Sequence, residues 1–379
     1  MTTPPVLDDR PVALIFRSPL FNPSETFVQA QAAGLSRYQP LVVGLVDKGG
    51  AIPELAGRVL VASPMERLQL RFGSARALAH RLAPFRPRLV HAHFGTDGLL
   101  ALPLARALGV PLVTSLRGYD VQRSRGALLR SGRLSWMRYS LARGRLIEGG
   151  ALFLAVSDAL RNRAIATGFP EARTLTHYNG VDLARFAPNP DPPVERMIFH
   201  AGRLVEKKGT ALLIEAFSRV ADEFPDAKLV IAGDGPLRER LQRQAAPLGD
   251  RVQFLGALLR VRIADMMRRA WLLAAPSVTA RDGDAEGLPN VVVEATASGL
   301  PVVATAHAGI PEAVEDGVSG LVVPENDPDA LARALRRLLG SAELRRAQSQ
   351  AARHIAEARF DLRRQSERLE EIYDRVSGA

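Results

Sequence analysis

The chain has 379 residues, 47% hydrophobic and 24% charged, with no cysteine. At roughly 100 to 200 residues per domain that length suits two domains; the composition excludes disordered and fibrous classes, and the missing cysteines exclude disulfides, thiolate nucleophiles and cysteine-ligated metal centres. Residues 1–190 hold 24 Lys and Arg against 12 Asp and Glu while the rest holds 26 against 28, so the first half is expected to meet an anionic partner, although only four of the 50 basic residues are Lys, a bias that base composition alone also produces.

Met1–Arg10 shows no basic segment followed by an apolar stretch, so no export leader is expected. No apolar run reaches the length of a bilayer-spanning helix; Glu294 and Pro301 interrupt the longest candidate. A soluble or peripheral protein is expected. Short Val/Leu/Ile/Ala runs alternate with longer amphipathic segments, the pattern of strands and crossover helices in a mostly parallel sheet. The spacing predicts strands at 12–16, 41–45, 58–61, 89–91, 110–115, 151–155 and 174–178, with Ser157 capping a helix that ends before Gly168. At 187–193 four prolines in seven residues deny backbone donors to helix and sheet, which reads as a linker. The alternation then restarts, with strands at 197–200, 228–232, 251–255, 271–275, 301–304 and 321–323, and the chain beyond Asp327 reads as helical. The predicted fold is two α/β domains, 1–187 and 188–360, with a ligand cleft between them, and a final segment 361–379.

Two clusters carry chemistry. In Glu286-Gly287-Leu288-Pro289-Asn290 through Glu294, two carboxylates lie eight positions apart. Pro289 suits a first helical turn, which places Glu286 in the preceding loop and Glu294 about a turn and a half inside, with helix-start amides as a seat for phosphate oxygens. The plain alternative is a helix start with incidental acids, which the dipole favours. In Gly202-Arg203-Leu204 through Lys208-Gly209, a loop between strand and helix offers one guanidinium fork and one ammonium, a pairing suited to a diphosphate. Taken singly, such a loop is more often just solvated.

Together, and with Pro23-Ser24-Glu25-Thr26-Phe27, His91-Ala92-His93-Phe94-Gly95, Arg117-Gly118-Tyr119-Asp120, Asn179-Gly180-Val181-Asp182 and Gly309-Ile310-Pro311-Glu312 in collinear order, these motifs make the chain resemble the family 4 retaining glycosyltransferases of GT-B fold, in particular exopolysaccharide and colanic-acid-type bacterial members. The resemblance implies two Rossmann-like domains, with nucleotide sugar on the second, acceptor on the first, and the last helix returning to the first. It implies donor contacts from Arg203, Lys208, Leu255, Gly256, Glu286, Gly287, Leu288, Pro289, Asn290 and Glu294, with Glu294 on the ribose, Glu286 on the sugar and the base near Leu255-Gly256. Acceptor contacts are implied from Ser24, Glu25, Thr26, His93, Arg117 and Asp120. Many relatives carry His where this chain has Arg117, and Arg cannot act as a base near neutrality; Arg117 is expected to stabilise anionic charge instead. No metal and no cofactor beyond the nucleoside-diphosphate sugar are expected, since cations and helix amides can hold the leaving diphosphate, and Asp282-Gly283-Asp284 lies in the wrong context for a metal site. His91 and His93 are read as structural or polar lining rather than metal ligands.

The acid-free stretch 123–146 alternates seven arginines with Leu, Trp136, Met137 and Tyr139, which suggests peripheral binding to an anionic inner membrane face and a polyprenyl-linked or glycan acceptor; an ordinary crossover helix with a solvated Arg face fits the same pattern. A GT-B epimerase or phosphorylase would need a base or pyridoxal phosphate for which no signature is present. Gly233-Asp234-Gly235-Pro236 lacks the continuation of a dinucleotide fingerprint. Nucleic-acid binding would explain the isoelectric point near 10.6, but aromatics are 6% and no binding motif occurs.

Overall fold

The structure, a computed structural model, describes residues 8–22, 25–191 and 196–378. The chain divides into two compact units, Met1–Gly180 with Leu362–Ala379, and Val181–Asp361. The first unit carries one parallel sheet of β1 (Val12–Phe16), β2 (Gln39–Gly44), β3 (Val59–Val61), β4 (Pro87–His93), β5 (Leu112–Leu116), β6 (Leu152–Ala155) and β7 (Thr174–Thr176), ordered β3-β2-β1-β4-β5-β6-β7. The second carries β8 (Met197–Ala201), β9 (Lys228–Ala232), β10 (Val252–Gly256), β11 (Leu272–Ala275), β12 (Val302–Thr305) and β13 (Gly320–Val323), ordered β10-β9-β8-β11-β12-β13. Both orders reverse direction after their first strand, the Rossmann arrangement.

Every residue of β1, β2, β5 and β8 is buried, because helices cover both faces of a parallel sheet; continuous apolar runs, not alternation, are what such strands need. Each predicted strand is present, with ends displaced by at most two residues. Ser157 caps its helix by accepting the Leu160 N–H at 3.1 Å.

The chain leaves the first unit at Gly180, seven residues before the predicted boundary. Packing explains the difference. The Val181 N–H bonds the Phe360 carbonyl at 2.7 Å, Phe186 is buried, and the Arg353 guanidinium takes the carbonyls of Leu183 and Phe186. Residues 181–186 are therefore fixed to the second unit, and the proline run lies inside it; Pro192 and Pro193 of that run lie outside the described residues.

The helix Leu362–Ser377 belongs to the first unit. Its buried Glu370 accepts the backbone N–H groups of Ser36, Arg37 and Tyr38 at 2.7, 2.7 and 3.2 Å, and its Tyr373 hydroxyl lies 2.6 Å from His91 Nδ1. His91 Nε2 meets Ser115 Oγ at 2.8 Å, so this histidine is internal structure tying β4, β5 and the last helix together.

Candidate active site

In the second unit the sheet order reverses between β8 and β11, the place at which open α/β sheets bind ligands. Gly202–Gly209 follows β8. Its backbone is tied to the loop after β9: Leu204 N–H bonds the Asp234 carbonyl at 2.9 Å and Gly202 N–H the Ala232 carbonyl at 3.0 Å. The approach is so close that a Cβ on Gly233 would lie 1.8 Å from the Gly202 oxygen. Gly233 N–H reaches the Gly256 carbonyl at 2.7 Å, which brings Leu255-Gly256, at the end of β10, alongside the same loops. Gly209 must also be glycine: at φ +63 its Cβ would meet the Pro276 oxygen at 1.8 Å.

The loop after β11 brings Glu286 to this cluster. Lys208 Nζ lies 3.1 Å and Lys207 Nζ 3.6 Å from Glu286 Oε1, and Lys207 also reaches Asp284 at 3.3 Å. Burial works to raise the Glu286 carboxyl, but Lys208 and then Lys207 outweigh it and hold it at about 2. Arg203 is exposed and its guanidinium has no ion-pair or hydrogen-bond partner among the described residues.

Two supports hold Glu286 that sequence reading missed. The Glu286 N–H donates to His307 Nε2 at 3.1 Å, which fixes His307 as the tautomer whose Nδ1–H donates to Glu325 at 2.7 Å. The Gly309 N–H donates to the Gly287 carbonyl at 2.9 Å, which gives the Gly309-Ile310-Pro311-Glu312 motif its place.

Pro289, expected in the first helical turn, stands just before it with ψ 123, and the helix runs Asn290–Ala297. Leu288 and Glu294 are buried. Glu294 Oε1 pairs with Arg260 Nη2 at 3.0 Å, a partner that the sequence did not signal. Burial raises the Glu294 carboxyl above its ordinary value, with Arg260 opposing.

In the first unit the corresponding reversal lies between β1 and β4. Arg17, the residue after β1, grips Glu25 through Nε and Nη2 at 2.6 and 2.8 Å and Asp97 through Nη1 at 2.7 Å, so the Glu25 carboxylate is engaged internally rather than offered to a ligand. Thr26 opens the helix Thr26–Ala33 beside it; Ser24 lies outside the described residues. Asp120 likewise turns inward, accepting the N–H groups of Gly95, Gly118 and Arg117 at 2.9, 2.9 and 3.1 Å. It organises the loops after β4 and β5.

Arg117 lies over the Phe27 ring, 4.5 Å from its centroid, and donates to Asn179 Oδ1 and, at 2.8 Å, to His93 Nδ1. A guanidinium only donates, so His93 is neutral with its proton on Nε2. Burial, with His91 and Arg117 nearby, keeps the His93 pKa well below its ordinary value. Burial also lowers the Arg117 pKa to about 9, against the pull of Asp120, so the group is still a cation at neutral pH. Its direct side-chain partners are all neutral.

Two Rossmann-like units, one carrying a lysine and glutamate cluster at its sheet reversal, make up the GT-B fold. Residues 25–185 match the family described as Glycosyltransferase Family 4, and residues 184–355 the Glycosyl transferases group 1. The chain is 31% identical over 313 residues to the amylovoran biosynthesis glycosyltransferase AmsK of Erwinia amylovora, covering 77% of this chain and 75% of that protein. It is 37% identical over 259 residues to the putative colanic acid biosynthesis glycosyltransferase WcaL of Escherichia coli, covering 66% of this chain and 61%, less than two thirds, of that protein. The chain belongs to the family 4 glycosyltransferases. The Anabaena Alr3699/HepE structure in complex with UDP shares the fold, with a TM-score of 0.76 at 22% identity over 96% of this chain and 99% of that one.

Proposed function

We propose that this protein is a retaining, metal-independent hexosyltransferase that moves a sugar from a nucleoside diphosphate to a hydroxyl of a glycan or polyprenyl-linked acceptor, in assembly of a bacterial surface polysaccharide. The observation that carries the reading is the meeting of Lys208, from the loop after β8, with Glu286, from the loop after β11, at 3.1 Å across the sheet reversal of the second unit.

The chemistry follows from the groups present. Glycosyl transfer builds negative charge on the departing diphosphate while the sugar becomes oxocarbenium-like, so cations fixed beforehand lower the barrier most. Lys208 forms an ion pair with Glu286, and its three N–H donors can turn to phosphate oxygens. Arg203, exposed and without a partner among the described residues, supplies a fork for the same diphosphate. Glu286, held ionised, accepts hydrogen bonds from sugar hydroxyls. Glu294 engages Arg260 through Oε1, and its other oxygen serves the ribose. Gly287, Leu288, Pro289 and Asn290 bring main chain to the sugar and phosphate, and Leu255-Gly256 borders the base. In the first unit Arg117, a cation among neutral partners, serves negative charge on the acceptor, and Thr26 and His93 line the same loops. The comparison proteins AmsK and WcaL, described as amylovoran and colanic acid biosynthesis enzymes, support the polysaccharide context.

Calorimetry with UDP-, GDP- and ADP-sugars tests the site and identifies the base. Lys208→Ala and Glu294→Gln should each weaken donor binding about tenfold or more, the loss of one charge-assisted hydrogen bond. Unaltered affinity in both variants would refute the assignment.

A further inference from the structure

From Leu55 to Ile147 the sequence holds 16 arginines, no lysine and only three acids, Glu66, Asp97 and Asp120. All three are buried, at 5%, 4% and 0% exposure. Glu66 is held by Arg81, Asp97 by Arg17, and Asp120 by backbone amides. This quarter of the chain thus presents no carboxylate to solvent, and its outward charge is entirely positive.

Within it, two neighbouring helices expose large apolar side chains. On Pro64–Arg71, Met65 and Leu68 are 62% and 50% exposed and Phe72, the next residue after the helix, is 83% exposed. Their spacing of three and four places them on one face. On Leu134–Gly149, Leu134 and Leu141, two turns apart, are 82% and 77% exposed. Arg138, between them on the same face, reaches the Leu70 carbonyl at 3.4 Å, and both helices pack on Gly95–Leu108. Exposed Arg71, Arg130, Arg133 and Arg145 flank these faces.

We propose that the helices Pro64–Arg71 and Leu134–Gly149 together form a docking face for an anionic lipid bilayer, with Phe72, Leu134 and Leu141 entering the headgroup boundary and the flanking arginines meeting lipid phosphates. Apolar anchors combined with a rim of arginines match an acidic membrane surface, with the exposed Glu148, two turns beyond Leu141, a carboxylate at the far end of the same helix. A nucleic acid would leave the aliphatic side chains without a partner, and a second copy of the face would set arginine against arginine. The proposal goes beyond the donor site, because it uses none of the residues that bind the nucleotide sugar.

The test is cosedimentation of the full-length protein with vesicles of phosphatidylcholine alone and of phosphatidylcholine with phosphatidylglycerol. Binding is expected to the anionic vesicles only. Phe72→Ser with Leu141→Ser should lower partitioning about tenfold, and Arg71→Gln with Arg130→Gln about fivefold per charge removed, more at low salt. All four positions are exposed, so the melting temperature and calorimetric donor affinity should not change, while Lys208→Ala should sediment with vesicles like the parent. The proposal is overturned if the parent ignores anionic vesicles or if neither double variant alters the binding. It is equally overturned if a DNA duplex binds while vesicles do not, or if the apolar variant only dissolves a self-association seen without lipid.

Discussion

Removing Lys208 should alter the Glu286 carboxyl before it alters the fold, because that ammonium is the nearest cation holding the group at about 2. In Lys208→Ala the Glu286 pKa is expected to rise into the ordinary carboxylate range, read by carbon-detected NMR titration, with transfer activity suppressed and the circular dichroism melt little changed. A pKa that stays near its parental value would show that Lys207 alone suffices. Arg260 behaves differently, since Glu294 is already raised by burial. Arg260→Met leaves that carboxylate buried without its partner, at a cost of about 3 kcal/mol. The sign is fixed by linkage: a carboxyl whose folded pKa lies above its unfolded value makes the fold less stable as pH rises through that window. The deficit, measured by urea unfolding, should therefore be large at pH 7 and shrink toward pH 4; a deficit independent of pH would mean lost packing over Phe186 instead. Glu286, Glu294, Arg203 and Lys208 were legible because each sits in a contiguous motif. Arg260, His307 and the Arg17–Asp97 pair were not, because their partners are brought together by sheet order over long separations, 80 residues in the last case. Glu25 and Asp120 were visible as acids in ligand-bordering motifs, yet local sequence carries no record that Arg17 and the amides of Gly95 and Gly118 would turn them inward.

The strands of both sheets were readable because a parallel strand covered on both faces must be apolar throughout, and turn-forming residues bound each short run. Loop conformation was less readable. Phe94 takes φ 72, a left-handed backbone unusual for a bulky side chain, and its ring stacks on Tyr119, whose ring stacks on Trp136. The stack fixes where the helix Gly95–Leu108 begins, and no composition rule announces it. The interlock of the loops after β8 and β9 yields a sharper expectation. A methyl at Gly233 would collide with the Gly202 oxygen, which cannot retreat while Gly202 and Leu204 stay hydrogen-bonded to the loop after β9. Gly233→Ala should cost about 2–4 kcal/mol and reduce donor affinity together, since Arg203 and Lys208 ride on the displaced loop. Scanning calorimetry and donor titration on one sample check this; a stable variant with parental donor affinity would show that the loops can separate without disturbing the phosphate seat.

The chain crosses between units twice, at Gly180 and at Asp361, so the second unit is one continuous segment while the first is assembled from two. That topology makes their folding unequal. The segment 181–361 has its own sheet and a core built around Ile198, Leu213, Phe217, Leu229, Leu272 and Leu335, and every donor residue named for it lies within it. Expressed alone it should unfold cooperatively and bind the nucleotide part of the donor. The first unit cannot be completed without the last helix. Glu370 is the acceptor for three backbone amides at Ser36–Tyr38, and Leu369 and Tyr373 fill its core. A chain stopped at Asp361 would leave those amides without their carboxylate and expose apolar surface on the first sheet, each buried unmet donor costing about 1–3 kcal/mol. The expected result is selective loss: limited proteolysis should degrade residues 8–180 of the shortened protein while 181–361 survives and still binds nucleotide. Glu370→Gln, which keeps the shape and removes the charge, should show the same selectivity in milder form. Survival of the first unit without the helix, or loss of nucleotide binding by the isolated second unit, would show that the two folding units are not the ones the chain topology defines.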